Sequence, residues 1–296
     1  MVSRLWGSTI VLFWLAAMSW LVWHDIWPVW TAQDPPAAVT PEWVGEARRR
    51  QQAGIEDKHG GRIGTIWVVY NRSGKSVSRQ DLIVIDRFPA LAPAWIEVDS
   101  QFDTQGRLDE LAADVVLAGV RIELKAERFG SQLAFNLTLG NRRHQAFKLA
   151  DVDAGMIGEL FKPFSAMPDL RVGQSWRMQV FNPLAGVMGT GSRFIPMIVR
   201  VTGEDTIGTP DGPIRCLIVE APNARALVAP DGTVHVQEME LPIGGKIVIR
   251  SEPFDEAAYD RARANRPVRR ESRGPRDRSF VPGSQDRDPA NRGPET

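Results

Sequence analysis

The chain has one cysteine, Cys216, and only four histidines in 296 residues, and its 36 basic and 36 acidic residues cancel. A single thiol excludes an intramolecular disulfide, so packing and hydrogen bonds must hold the fold together. Ile214, Cys216 and Ile218 alternate with Arg215 and Leu217, which reads Cys216 as a small core residue on a strand and not as a nucleophile. His24, His59, His144 and His235 are scattered, with no i/i+4 ligand spacing, so neither a metal nor a cofactor is expected. The balanced charge argues against a whole-chain polyanion binder, and no nucleic acid is expected as a partner. Gly60-Gly61, Gly189-Thr190-Gly191 and Gly244-Gly245-Lys246 lack the spacing that wraps backbone donors around phosphate before a helix, and they read as turns.

What the chain does have is concentrated at its start. Leu5–Trp23 is an uncharged, mostly apolar run of 19 residues, and six of the ten tryptophans lie by Trp30. At ~1.5 Å per residue the run spans roughly 28 Å as a helix, close to the ~30 Å of a bilayer core. A cleaved signal peptide would have a shorter apolar core and a small-x-small site, whereas a cut after Ala32 would place bulky Trp30 three positions before the bond. The reading is therefore a retained single-pass transmembrane helix. Arg4 outweighs Asp25 at the flanks, which places the N-terminus in the cytoplasm and the bulk of the chain in the periplasm or its equivalent. Trp20, Trp23, Trp27 and Trp30 read as an interfacial aromatic belt.

Beyond a Pro-containing spacer, Thr40, Pro41 and Glu42 have the chemistry of a helix start, with Gly54 as its stop. From Ile63 the period changes to two. Ile63–Tyr70 and Asp81–Asp86 flank a turn at Asn71–Lys75, and Ile96, Val98 and Phe102 share one face. Val120, Ile122 and Leu124 alternate with Arg121, Glu123 and Lys125, and Gly130-Ser131 turns the chain into Leu133, Phe135, Leu137 and Leu139. Such alternation predicts a sheet with one buried face. Further strands are expected at Trp176–Phe181, Ile195–Thr202, Ile214–Glu220, Thr233–Leu241 and Lys246–Arg250. Residues 152–164 interrupt this pattern with Met156, Ile157, Leu160 and Phe161 at helical spacing, stopped by Pro163. After Tyr259 there are ten Arg against six Asp or Glu and almost no apolar residues, a composition that predicts disorder.

The expected organisation is an anchor at 1–30, a linker and short helix at 31–59, a mainly β, antiparallel domain at 60–255 and a disordered tail at 256–296. Leu170–Trp176 opening a strand, a long strand into Val201-Thr202-Gly203, the hairpin through Cys216 and then Pro230–Val234 come in an order that resembles bacterial periplasmic domains of the lipoprotein-carrier (Lol-type) superfamily. The resemblance implies a curved sheet or half-barrel around an apolar cleft, with a short helical lid. Met156, Ile157, Leu160, Phe161 and Phe164 are the candidate cleft or lid residues. A permanently anchored chain departs from a carrier that must leave the membrane.

Two functions are therefore expected to compete. One is a non-enzymatic, membrane-anchored module that binds a lipid, another apolar ligand or an envelope protein. The other is an envelope hydrolase whose site is assembled from dispersed residues, using Asp99 or His144. Asp99 and Asp103 lie about 13 Å apart along one strand, too far for a close carboxylate dyad.

Overall fold

The computed structural model describes residues 2–23, 27, 30, 32, 36, 40–45, 48–87, 93–140, 142–150, 157–159, 164, 166–181, 194–209, 212–241 and 245–267. Helix α1, Val2–Leu21, is followed by the single turn α2, Pro41–Val44. The strands then begin with β1 (Arg49–Asp57), β2 (Arg62–Ser73), β3 (Ser76–Ile85) and β4 (Ala94–Phe102). They continue as β5 (Leu108–Leu117), β6 (Val120–Phe129), β7 (Gln132–Leu139) and β8 (Arg142–Ala150). After β9 (Ile157–Glu159) come β10 (Ser175–Phe181), β11 (Phe194–Thr209) and β12 (Gly212–Ala221). The last strands are β13 (Ala224–Val228), β14 (Val234–Leu241) and β15 (Gly245–Glu252), and helix α3, Glu256–Ala264, follows.

All fifteen described strands belong to one open sheet, in the order β8-β7-β6-β5-β4-β3-β2-β1-β15-β14-β13-β12-β11-β10-β9. Each half is a meander, and the halves meet where β1 pairs antiparallel with β15, Ile55 opposite Ile249. The short β9 is the exception to the antiparallel pattern: it runs parallel to β10.

Period-two alternation decides which side chains are buried. On one face, Ile66, Val68 and Tyr70 of β2 join Ile83 and Ile85 of β3, Ile96, Val98 and Phe102 of β4, and Ile122, Leu124, Leu133, Phe135 and Leu137 of the β6–β7 hairpin. The same face continues across β10–β13 with Trp176, Met178, Val199, Val201, Val219 and Ala226. On the opposite face, α3 lays Tyr259 over Trp67, Val69, Leu82 and Trp95. Asp255 caps α3 by accepting from Ala258 N at 2.9 Å, and Glu256 and Arg261 match the ends of its dipole. Arg266, just past α3, pairs with Glu97 at 3.2 Å and Asp114 at 3.1 Å.

By average side-chain hydropathy, no helix among the described residues is long and apolar enough to cross a membrane. Three other expectations need correction. The helix that begins at Thr40 stops at Gly45, whose φ is +80°, and Arg49–Asp57 is a strand at the centre of the sheet, so the fold begins well before residue 60. Backbone pairing with β2 on one side and β15 on the other outweighs the polar local sequence. The segment from 256 opens as a packed helix, because Tyr259 reaches an apolar patch that the local composition does not reveal. Finally, Ile157 lies in β9 and not in a helical lid. It pairs with Gln179 on β10, a non-local partner that wins over helical spacing. The 268–296 part of the tail lies outside the described residues.

Candidate functional site

A set of long-range polar contacts lies where the N-terminal segment meets the β13–β14 turn. Thr40 Oγ1 accepts from Trp43 N at 3.3 Å, which starts α2 and aims the Trp43 indole at the sheet. Indole Nε1 donates to Asp231 O at 2.8 Å, and the ring meets Tyr70 edge-on at 5.2 Å. The Arg49 guanidinium lies 4.0 Å from the Trp43 ring centroid, and its Nη2 donates to Asp231 Oδ2 at 2.8 Å and to Thr233 Oγ1 at 2.7 Å. Burial alone would raise the Asp231 pKa, but hydrogen bonds from Thr233 and the Arg49 charge outweigh it and lower it. A lowered acid pKa stabilises the fold above the ordinary carboxylate range, and the contribution is lost as pH falls through the lowered value.

The same turn holds a second segment. Met167 N donates to Gly232 O at 3.0 Å, and Ala166 bridges to Thr233. Gly232 has φ of +83°, and a Cβ there would lie 2.6 Å from Pro168 N. Gly232→Ala is therefore expected to cost about 1–3 kcal/mol through backbone strain, and the clash with fixed backbone adds to it. A denaturant midpoint equal to that of the parent would contradict this packing. The segment docked in this way inserts Phe164 and Met167 into the cluster around Trp176 and Val199. Phe164 N donates to the side chain of buried Gln237 at 3.3 Å.

Of the candidate cleft residues, Phe164 is thus a fully buried core residue and Ile157 a strand residue, while Met156, Leu160 and Phe161 fall outside the described residues. Beside Gln237, the space bounded by Gln51, Ala53, Ile66, Val68 and Ser251 amounts to about 20 Å³, enough for one water-sized molecule and far too little for an acyl chain. A much larger open groove, about 530 Å³, runs between the Asp169–Val172 loop and Glu204, Arg215, Cys216, Leu217 and Pro230. Arg215 and Glu204, on the adjacent strands β12 and β11, form an ion pair on its sheet side. Burial pushes the Cys216 thiol up, with Asp205 and Asp231 acting in the same direction, so it stays protonated at neutral pH and is a poor nucleophile. His235 is shifted down by burial, against the opposing pull of Asp231.

Asp99 and Asp103 do not converge. Asp99 accepts from Gln80 Nε2 at 3.0 Å on an exposed strand position. Asp103 instead closes the β4–β5 turn, with Oδ1 accepting from Gln105 N and Arg107 N. The side chain of His144 is outside the described residues. Among the described residues, no group of three or more His, Cys, Asp and Glu side chains could hold a metal ion.

Neither a family model nor a curated protein matches the chain. One similar solved structure is that of a DUF1089 family protein (pa1994) from Pseudomonas aeruginosa, at 16% identity and a TM-score of 0.34. The alignment covers 57% of this chain and 86% of that one. The lipoprotein-carrier resemblance therefore rests on the order of turns and strand starts alone.

Proposed function

We propose that this protein is a membrane-tethered, non-enzymatic β-sheet module that works outside the cytoplasm and docks an envelope partner. The observation that carries the reading is α1: its described large side chains are uncovered, with Leu12 66% and Phe13 76% exposed. An apolar surface of that size needs a covering phase, and a bilayer supplies one. Average hydropathy counts Trp6, Trp14 and Trp20 against insertion, although indole favours the membrane interface. Docking is favoured over an apolar-ligand cleft because Phe164 and Met167 already fill the face that a ligand would need. The open groove at Arg171, Val172 and Arg215 is the surface offered to a partner. A Lol-type half-barrel would be compatible with the sheet order, but the proposal does not depend on it.

The tether is tested by alkaline extraction of native membranes containing the full chain. The parent should stay with the membrane pellet. Leu12→Lys combined with Leu15→Lys should move the chain to the supernatant, since each central lysine opposes insertion by about 2.5–3.5 kcal/mol. Release of the parent itself would overturn the reading.

A further inference from the structure

We infer that the face of β2–β5 opposite the main core is a docking groove for a basic helix with one aromatic side chain, and that α3 is a displaceable strap that keeps it closed. The inference does not depend on the proposed tether or on the groove at Arg171. Ladder register lays this face out in rows. Trp67, Leu82, Glu97, Asp114 and Glu123 lie opposite one another from β2 to β6. The row on one side carries Val84, Trp95 and Val116, and the row on the other carries Val69 and Asp99. An apolar floor on β2–β4 thus runs into an acidic margin on β4–β6, where Arg121 offsets one charge by pairing with Asp114 at 2.6 Å.

The strap matches this layout but holds it lightly. Tyr259 sits on the apolar floor, its ring centroid 6.4 Å from that of Trp67. Arg266 reaches the acidic margin, with its guanidinium 5.3 Å from the Trp95 ring centroid. Yet Tyr259 is the one buried residue of α3. Both partners of the Arg50–Glu256 pair are exposed, and so is the Arg266 side chain, so water competes for these ties. The two large core clusters lie on the other face of the sheet, and lifting α3 would leave them packed.

What α3 covers it does not fully satisfy. Trp67 and Trp95 are 5% and 7% exposed, and both indole N–H groups are buried without an acceptor. A buried donor left unpaired keeps its full desolvation cost. Burial also pushes the Glu97 carboxyl up, and the Arg266 charge offsets this only in part. A helix that supplies an aromatic ring, a guanidinium about two turns further on and an oxygen acceptor for an indole therefore competes with α3 for the same floor.

The test uses the full chain in detergent and a fluorescein-labelled peptide of residues 253–267, the α3 sequence. Tyr259→Ser with Arg266→Glu weakens the strap. That chain should keep one cooperative unfolding transition and bind the peptide about tenfold or more tightly than the parent, whose own α3 is held at high effective concentration over the groove. Adding Glu97→Lys should weaken this binding about fivefold or more, whereas peptide bound to micelles would not respond. In the parent, the α3 amides should exchange hydrogen together and well before those of β2–β4. Loss of cooperative unfolding in the strap-weakened chain would make α3 part of the core and overturn the inference. Equal peptide affinity for the two chains overturns it as well, and so does binding that ignores Glu97→Lys or exchange of α3 only together with the sheet.

Discussion

Leu124→Asp should lower stability by about 4 kcal/mol or more, while Lys125→Asp one position away should change it by no more than about 0.5 kcal/mol. Leu124 is 6% exposed and faces Ala113 on β5 and Leu137 on β7, so a carboxylate there would be buried among side chains that cannot solvate or pair it. Lys125 points to the other face and is exposed. Chemical unfolding of the two variants side by side checks this. Equal losses would mean that both faces of β6 are covered, or that the register is displaced by one residue.

A second large effect is expected at the one strongly polar spot on the core face of β3. Asp81 is 1% and Arg79 9% exposed. Arg79 Nε and Nη2 donate to Asp81 Oδ1 at 3.0 and 2.9 Å, and the guanidinium lies 5.8 Å from the centre of the Tyr70 ring. Asp81→Ala should cost about 3–5 kcal/mol, because it leaves a guanidinium on an apolar face without its carboxylate. The double replacement Arg79→Met with Asp81→Leu should recover most or all of that loss, since two buried charges are exchanged for apolar volume. If the double variant were as unstable as the single one, the pair would be contributing specific structure beyond its mutual compensation.

These two sites show what the sequence does and does not make legible. The β6–β7 hairpin can be read from its residues because its core side faces only apolar neighbours and its other side faces water, so composition tracks geometry. Ile96, Val98 and Phe102 on β4 are legible for the same reason. β1 is not, because Arg49-Arg50-Gln51-Gln52 offers no apolar alternation. Its conformation is imposed by β2 and β15, the latter some 200 positions away, as the Gln52–Glu252 pairing illustrates. At Ile157 the helical spacing gives no hint of a strand, because its pairing partner is Gln179 on β10 and not a sequence neighbour. For α3, the Asp255 cap and the Arg261 and Arg263 of the last turn were present in the chain, but the Arg-rich composition around them masked the signal.

The candidate site divides in the same way. Pro230–Val234 stands out as a turn from its composition alone. That Asp231 would receive Trp43 and Arg49, or that Gly232 would lie against Pro168, depends on contacts between distant parts of the chain that leave no local trace. The groove at Arg171 and Arg215 is likewise built by bringing a loop and a strand together, and neither segment carries a motif. By contrast, the apolar run at the start of α1 needs no partner to be recognised, which is why the functional proposal leans on it.

The most direct test of that proposal is topology. A phosphatase reporter that folds only after export, fused after Thr296, should be active in intact cells, and a reporter that fluoresces only in the cytoplasm should be dark at the same position. An active cytoplasmic reporter and a silent exported one would contradict the account, because the sheet and its tethered end would then lie on the wrong side of the membrane.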